Sequence, residues 1–466
     1  MQSKILKKIT DYQIIIFGLG SEGLSTYRFL RSRLPNSNFI IIDERPLAEL
    51  NQLWTELITE NSKTQFTTSL TEIPQDELRH SLLFKTPGIP ISHPIVQKII
   101  DAGSEVSSNT QLFFDLVTEH NSAGDKPQIT IIGVTGTKGK STCASLIHHV
   151  LEKNKLDSYL GGNIGRPALD AWMKWDGNKK QTPALFVLEL SCHQLAELKS
   201  SPHIAVVQDI VSEHLDYYDD FEQYYQSKTQ IARFQSKKDL IIFNKESKTA
   251  SQLALLSKGK KISFSLKDKK LMEIAKVTPL MGEHNLYNVI PAIIVAQKFK
   301  LTNSQIKKAV KTFKPLPHRL EFVAEINGVK YYDDSIATVP EATIAALKTF
   351  PDKKIILIAG GYERQQDYKA LAAEIIKCNV KSLSLLPPTG QRLLLEIEQF
   401  NPCNQLRASI ESFFGMDEAV HYAVKKAQPG DVVLLSPGAA SFNNFTDYID
   451  RGNQFKKAVK SLTQNN

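Results

Sequence analysis

Cysteine is scarce in this chain. The four residues, Cys143, Cys192, Cys378 and Cys403, are scattered through 466 positions with no C-x-x-C pair, which excludes a disulfide framework and a zinc knuckle. Long apolar runs are missing as well. None approaches the roughly 20 residues of a membrane span, and Ile14-Ile15-Ile16-Phe17 is too short for a signal peptide and runs into glycines, so a cytoplasmic protein is expected. Strong charge of either sign is absent, the net +8 being modest for this length. Much of it sits in Lys258-Gly259-Lys260-Lys261 and Lys267-Asp268-Lys269-Lys270. No aromatic residues interleave there, which excludes a single-strand nucleic-acid platform and leaves a solvated loop. No repeat of fixed period occurs, so a solenoid is excluded. What remains is an ordinary globular balance, 42% apolar and 23% charged, on a chain long enough for two to four domains.

The most informative stretch is Gly133-Val134-Thr135-Gly136-Thr137-Lys138-Gly139-Lys140-Ser141-Thr142. Gln128 to Ile132 before it reads as a buried strand, and Cys143 to Leu151 after it has apolar residues at helical spacing. Strand, glycine-rich turn and helix form the context of a phosphate loop. Backbone N–H groups curl around an anion, the helix N-terminus adds its dipole, and a lysine reaches the distal phosphates. Lys140 is that lysine, and the Ser141 or Thr142 hydroxyl faces Mg²⁺. Val134 stands where the generic pattern G-x-x-x-x-G-K-[ST] has glycine; a plain helix-capping turn is the competing reading. A nucleoside triphosphate is expected here.

Nearer the N-terminus, Gln13 to Phe17 forms a strand, Gly18-Leu19-Gly20-Ser21-Glu22-Gly23 follows, and Phe39 to Ile42 is a second strand ending at Asp43. This is the βαβ arrangement of a dinucleotide fold, with Asp43 about where a ribose partner sits. A nicotinamide-dependent oxidoreductase is one reading, but G-x-G-x-x-G reports diphosphate binding rather than hydride chemistry. The turn Phe84 to Pro90, including Gly88, lines the same crevice. A polar connection from Glu119 to Lys126 closes a first domain, residues 1–126. In the second, 127–316, the apolar run Ala184 to Leu188 ends at Glu189, the form of a strand presenting a carboxylate to Mg²⁺. His203 to Val207 and Asp239 to Asn244 are further strands, the former leading to Ser212-Glu213-His214-Leu215-Asp216. Alternating strands and helices predict a mostly parallel sheet with its site at the strands' carboxyl ends. Pro315 to Arg319 marks the second boundary. The third domain, 317–466, repeats the pattern with Lys354 to Gly361 and Asp431 to Gly438. The fold class is α/β in three domains: Rossmann-like, phosphate-loop ATPase-type, and Rossmann-like again.

Two phosphate-binding turns on one chain suggest a diphosphate-bearing substrate and a triphosphate to be spent. With the motifs that follow, the chain resembles the Mur ligases, the ATP-dependent amide-forming enzymes of peptidoglycan precursor synthesis. Their phosphate loop reads T-G-T-x-G-K-[ST], which Val134 fits. The resemblance runs from Gly18 to Gly452 and includes Gly161-Gly162-Asn163-Ile164-Gly165, Leu188-Glu189-Leu190-Ser191, Glu213-His214-Leu215-Asp216 and Gly282-Glu283-His284-Asn285. Leu316-Pro317-His318-Arg319, Asp333-Asp334-Ser335, Leu435-Ser436-Pro437 and Arg451-Gly452-Asn453 complete it. It implies that Ser21, Glu22, Asp43, Glu44, Arg45, Gly88 and Asn163 serve a uridine-diphosphate substrate. ATP is implied at Gly136, Thr137, Lys138, Gly139, Lys140, Ser141 and Thr142, with Asn288, Arg319 and Asp334 around the nucleotide. Mg²⁺ is implied at Ser141, Glu189, His214 and a carbamylated Lys228; Lys140, Lys228 and His214 are the catalytic set. Without the resemblance Lys228 reads as a plain surface lysine.

Among the family's members the resemblance is greatest to those that add glutamate to UDP-N-acetylmuramoyl-L-alanine. The implied reaction activates the substrate carboxylate as an acyl phosphate, which the amino acid's amine then attacks. Thr338, Arg364, Ser441 and Tyr448 match the amino-acid contacts. Where D-glutamate ligases commonly read D-S-K-A-T, this chain has Ile336 for the lysine, and Arg364 aligns with a second family lysine. D-glutamate is the expected isomer and L-glutamate the alternative. Folylpolyglutamate synthetase is a related reading that the front glycine-turn domain opposes. A non-catalytic nucleotide-binding regulator would have no need of Lys140, Glu189, His214 and Lys228 together. A monomer acting on small molecules is expected.

Overall fold

The computed structural model describes residues 3–50, 52–124, 128–175, 183–211, 213, 217–378, 380–400, 409–442 and 444–462. Three sheets organise them. The first comprises β1 (Gln13–Phe17), β2 (Phe39–Ile42), β3 (Thr64–Thr67), β4 (Ser81–Lys85) and β5 (Glu105–Ser107), ordered β3-β2-β1-β4-β5 and parallel throughout. Both of its faces are covered, which is why β1 reads as an unbroken apolar run. Ile14 and Ile16 pack toward Phe29, Leu30 and Leu112, whereas Ile15 and Phe17 pack toward Val96 and Ile99 of the helix Pro94–Asp101. The strand order reverses beside β1, opening a crevice at the strands' carboxyl ends.

The second sheet contains β6 (Ile129–Thr135), β7 (Ser158–Gly162), β8 (Ala184–Glu189), β9 (Ile204–Val207), β10 (Leu240–Asn244) and β11 (Lys260–Phe264), ordered β11-β10-β9-β6-β8-β7 and again parallel. Here one expectation is corrected. The lysine-rich stretch is not a solvated loop: Lys260 and Lys261 lie in edge strand β11, and Lys269 opens the helix Lys269–Ala275. Lys260 and Lys261 are exposed at the sheet edge, where lysine discourages pairing with another chain. The third sheet contains β12 (Glu321–Ile326), β13 (Val329–Asp333), β14 (Ile355–Gly360), β15 (Val380–Leu386), β16 (Ile410–Ser412) and β17 (Val432–Leu435), ordered β12-β13-β17-β14-β15-β16. It is parallel except for the β12–β13 hairpin, whose two-residue turn Asn327-Gly328 has positive φ at both positions, 51° and 76°.

The chain divides into two compact units. Residues 1–277 and 287–311 carry the first two sheets, and 278–286 with 312–466 carry the third. The first two sheets share one hydrophobic core, in which Phe113 of the helix Asn109–Ser122 meets Phe186 of β8 with ring centroids 5.0 Å apart. A polar seam reinforces it: Ser25 Oγ donates to Asp170 at 2.6 Å, and Asn109 bonds Ser25, Thr26 and the Leu169 amide. Among the described residues no helix is long and apolar enough to cross a membrane.

Candidate active site

The centre of the first unit is the turn between β6 and the helix Lys140–Lys153. Gly139 caps that helix at φ +82°, and a Cβ there would meet the Asn288 side-chain oxygen at 2.1 Å. Only glycine therefore lets Asn288, 5% exposed, stand against the loop. Thr137 fixes the turn from the other side. Its N–H donates to Asp209 O at 2.7 Å, and its hydroxyl bonds Val211 O and the Tyr224 hydroxyl, each at 2.9 Å. Lys140 Nζ donates to Thr137 O at 2.8 Å, folded back over the loop it belongs to. Lys138 is exposed, Ser141 half-buried and Thr142 buried.

Lys228 is not a surface lysine. It lies on the helix Phe221–Arg233, 1% exposed, with Nζ donating to Gly136 O at 3.0 Å and lying 4.6 Å from the centre of the Tyr224 ring. Burial, aided by the Lys140 ammonium, pushes its pKa down to about 7. A large share of the amine is then neutral at physiological pH, the form that reacts with CO₂.

β8 runs beside β6, with Glu189 in register with Val134. One Glu189 oxygen accepts from Asn163 Nδ2 at 3.0 Å; Oε2 is buried with no hydrogen-bond partner among the described residues, as is Thr142 Oγ1. An anionic acceptor and a hydroxyl left incomplete beside a phosphate loop fit a hard, oxygen-seeking cation such as Mg²⁺. His214 lies outside the described residues.

Ser21 and Glu22 open the helix Ser21–Arg33 behind the first glycine turn. The third glycine of that turn, Gly23, is required sterically, since a Cβ would sit 2.1 Å from Gly18 O. Asp43 spans the turn and its own strand end: one carboxylate oxygen accepts from the Leu19 amide at 3.1 Å, and Arg45 forks onto both oxygens at 2.9 and 3.1 Å. Burial pushes this carboxyl up, but the bonds from Arg45 and Leu19 outweigh it and leave the pKa below the usual value. Glu44 bonds His93 at 3.1 Å, and Gly88 is exposed in the turn after β4. Glu22 faces away from solvent toward Gln194, whose amide donates to it at 2.5 Å; its second oxygen is buried without a partner among the described residues. Burial pushes its pKa up to about 7. Sequence reasoning missed Gln194, which stands in no motif and so carried no local signal. Lys85, in the turn read as lining the crevice, is 4% exposed and paired with Glu197 at 2.7 Å.

In the second unit, Asp334 accepts from the Leu320 amide at 3.1 Å and the Ser436 hydroxyl at 2.8 Å, and burial pushes its pKa up to about 7. Arg319 sits between two residues at positive φ, His318 (61°) and Leu320 (43°). His318 Nδ1 pairs with Asp333 at 2.7 Å, which helps hold that strained turn. His318, Glu321 and Asp333 are close enough to suggest a metal site. Lys456 already serves the two carboxylates, 2.6 Å from Glu321 and 3.6 Å from Asp333, so the cluster is an ion-pair network. Arg451, fully buried, ties together the loops that carry Ser335 and Ala439-Ala440. Nε bonds Ser335 Oγ, one terminal nitrogen bonds the Ala439 and Ala440 carbonyls, and the other bonds Ser335 O at 2.8 Å. Ser335 in turn donates to the Tyr448 carbonyl at 2.8 Å. Thr338 and Ser441 lie on the two joined loops, and Arg364 is exposed on a third.

A phosphate loop with an acid on the adjacent strand, flanked in sequence by two further α/β sheets, is the build of an ATP-dependent ligase. Three family models match consecutive stretches: Mur ligase MurD-like, N-terminal domain, over residues 12–108; Mur ligase middle domain over 134–296; and Mur ligase, glutamate ligase domain, over 318–438. The chain is 36% identical over 404 residues to the UDP-N-acetylmuramoylalanine–D-glutamate ligase of Acetivibrio thermocellus, covering 82% of this chain and 83% of that one. It is 30% identical over 474 residues to the same-named protein of Clostridium tetani, covering 98% of each. Among solved structures it is similar to MurF from Acinetobacter baumannii, with a TM-score of 0.62 at 13% identity over 99% of this chain and 98% of that one. The chain belongs to the Mur ligase family.

Proposed function

We propose that this protein is the ligase that joins D-glutamate to UDP-N-acetylmuramoyl-L-alanine at the expense of ATP, in peptidoglycan precursor synthesis. The observation that carries the catalytic part is the convergence of Lys140, Lys228, Glu189 and Asn163 on one phosphate loop. The amino acid follows from the named relatives and the glutamate ligase domain.

The three domains, 1–126, 127–316 and 317–466, divide the labour. The first holds the uridine diphosphate end through Ser21, Glu22, Asp43, Glu44, Arg45 and Gly88, with Asn163 and His214 farther along the substrate. The amides and side chains of Gly136 to Thr142 cradle the triphosphate, and Lys140 leaves the Thr137 carbonyl for the distal phosphates. Asn288, Arg319 and Asp334 are assigned to the rest of the nucleotide. The neutral Lys228 amine adds to CO₂, forming an N–C bond and losing a proton, so that a buried cation becomes an anion. Glu189, His214 and the Ser141 or Thr142 hydroxyl would hold one Mg²⁺ and the Lys228 carbamate a second, and the ions would supply charge neutralisation.

The substrate carboxylate then attacks the γ-phosphorus. The new O–P bond forms as the bridging P–O bond breaks, and ADP leaves. The glutamate amine, having given up a proton, attacks the acyl carbon, and inorganic phosphate departs with the C–O bond. Thr338, Arg364, Ser441 and Tyr448 orient the amino acid, so that catalysis is mostly positioning and charge neutralisation. The protein works as a cytoplasmic monomer. Phosphate release with ATP, UDP-N-acetylmuramoyl-L-alanine and each glutamate isomer tests the reading. Release that depends on D-glutamate is expected; a preference for L-glutamate overturns the isomer, and release with neither overturns the ligase.

A further inference from the structure

Arg364 is an exposed cation on a segment without regular structure, yet the segment is pinned on several sides. The Tyr362 amide donates to Ala440 O at 2.8 Å, and Gln366 Nε2 donates to Thr338 O at 3.3 Å. Arg392 bonds the Glu363 carboxylate at 2.6 Å and the Gln366 carbonyl at 3.0 Å. The one acid beside Arg364 in sequence is thereby engaged by another arginine. Among the described residues no carboxylate pairs with Arg364. Its guanidinium carbon instead lies 5.4 Å from the centre of the Phe442 ring, and the Tyr362 ring meets that same ring at 5.9 Å and 85°. Phe442 is 46% exposed, too open to be a core residue, and follows Ser441 directly.

We propose that Phe442, propped by Tyr362, is a positioning residue that holds the Arg364 fork open for a carboxylate of the incoming amino acid. The inference rests on the ligase reading above and adds to it the residue that sets the strength of amino-acid recognition. A planar guanidinium held over an aromatic face keeps N–H groups free, and its fork matches a carboxylate in two parallel bonds. Ile336 stands where D-glutamate ligases commonly have a lysine, so recognition of the two glutamate carboxylates depends more heavily on this fork. Pinning the loop removes ordering entropy that binding would otherwise have to supply.

The test is steady-state phosphate release, with KM measured separately for D-glutamate, ATP and UDP-N-acetylmuramoyl-L-alanine. Phe442→Ala is expected to raise the glutamate KM about fivefold, leaving the other two KM values and kcat unchanged. Phe442→Tyr restores the wild-type value. In an Arg364→Ala background the same Phe442→Ala exchange adds less than about twofold, because the two side chains act as one unit. An unchanged glutamate KM in Phe442→Ala, equal rises in all three KM values, or independent effects in the double variant overturns the proposal. Wild-type protein that releases no phosphate on adding glutamate overturns the underlying ligase reading with it, a result visible before any variant is made.

Discussion

The phosphate-loop region and the region around Thr338 and Ser441 treat buried charged groups differently. Around the loop the interior is left incomplete: Glu189 Oε2 and Thr142 Oγ1 are buried without partners among the described residues, and Lys228 is an amine with its charge destabilised. Around Thr338 and Ser441 the buried charge is fully satisfied, because Arg451 directs every arm of its guanidinium at a carbonyl or hydroxyl oxygen, and the one orphan beside it is the neutral amide oxygen of Gln366. The exposed cation there, Arg364, stands outside on a pinned loop. A centre that gathers phosphate and metal gains from groups that only the ligand can satisfy. A centre that selects an amino acid gains from a rigid frame with one fork presented to solvent.

The contrast can be broken by experiment. Lys140→Ala should lower phosphate release about a thousandfold, since a phosphate-clamping charge is lost. The Tm should barely move, because the lysine packs against its own loop; near-normal turnover would remove the loop from the mechanism. Arg451→Met should act the other way, costing about 3 kcal/mol of stability in urea titrations by stranding buried carbonyls. An Arg451→Met protein of normal stability but poor activity would make Arg451 a ligand contact rather than the frame.

Lys228→Ala should cost about a hundredfold in turnover by removing a charge-neutralising group. A small carboxylic acid added to the assay should restore part of the activity in place of the carbamate. Full activity of Lys228→Ala without additive would show that the buried amine plays no part.

The smallest effect concerns Glu22, whose pKa in the folded protein stands at about 7 against an ordinary 4.5. The folded state keeps the proton that the unfolded chain gives up, so stability falls as pH rises through that window. Glu22→Gln should remove about 2 kcal/mol of that loss between pH 5 and 7. An unaltered pH slope in denaturant titrations would mean that Glu22 is ionised in the fold.

Legibility in the sequence followed distance along the chain. The phosphate loop could be read residue by residue, because ten consecutive residues carry strand, turn, lysine and helix cap. The unbroken run Ile14 to Ile16 likewise announced a sheet covered on both faces. The lysine-rich stretch misled because charge alone was read, whereas an edge strand buries little and tolerates lysine.

By itself, then, the sequence determined what rests on local torsions and short-range order: the glycine turns, the strand runs, and the ordered motifs that tie the chain to its family. The tertiary structure decided what those groups are chemically. Lys228 has its pKa lowered by burial in a place where it meets Gly136, 92 positions away, and Glu22 meets Gln194 across 172. Arg451 reaches Ser335 across 116 positions, and Arg364 finds Phe442 only because β14 and β17 are neighbours in the third sheet. Burial, and with it every shifted pKa and every satisfied or orphaned polar atom, depends on neighbours that long-range packing supplies. A pattern of consecutive residues carries no record of them.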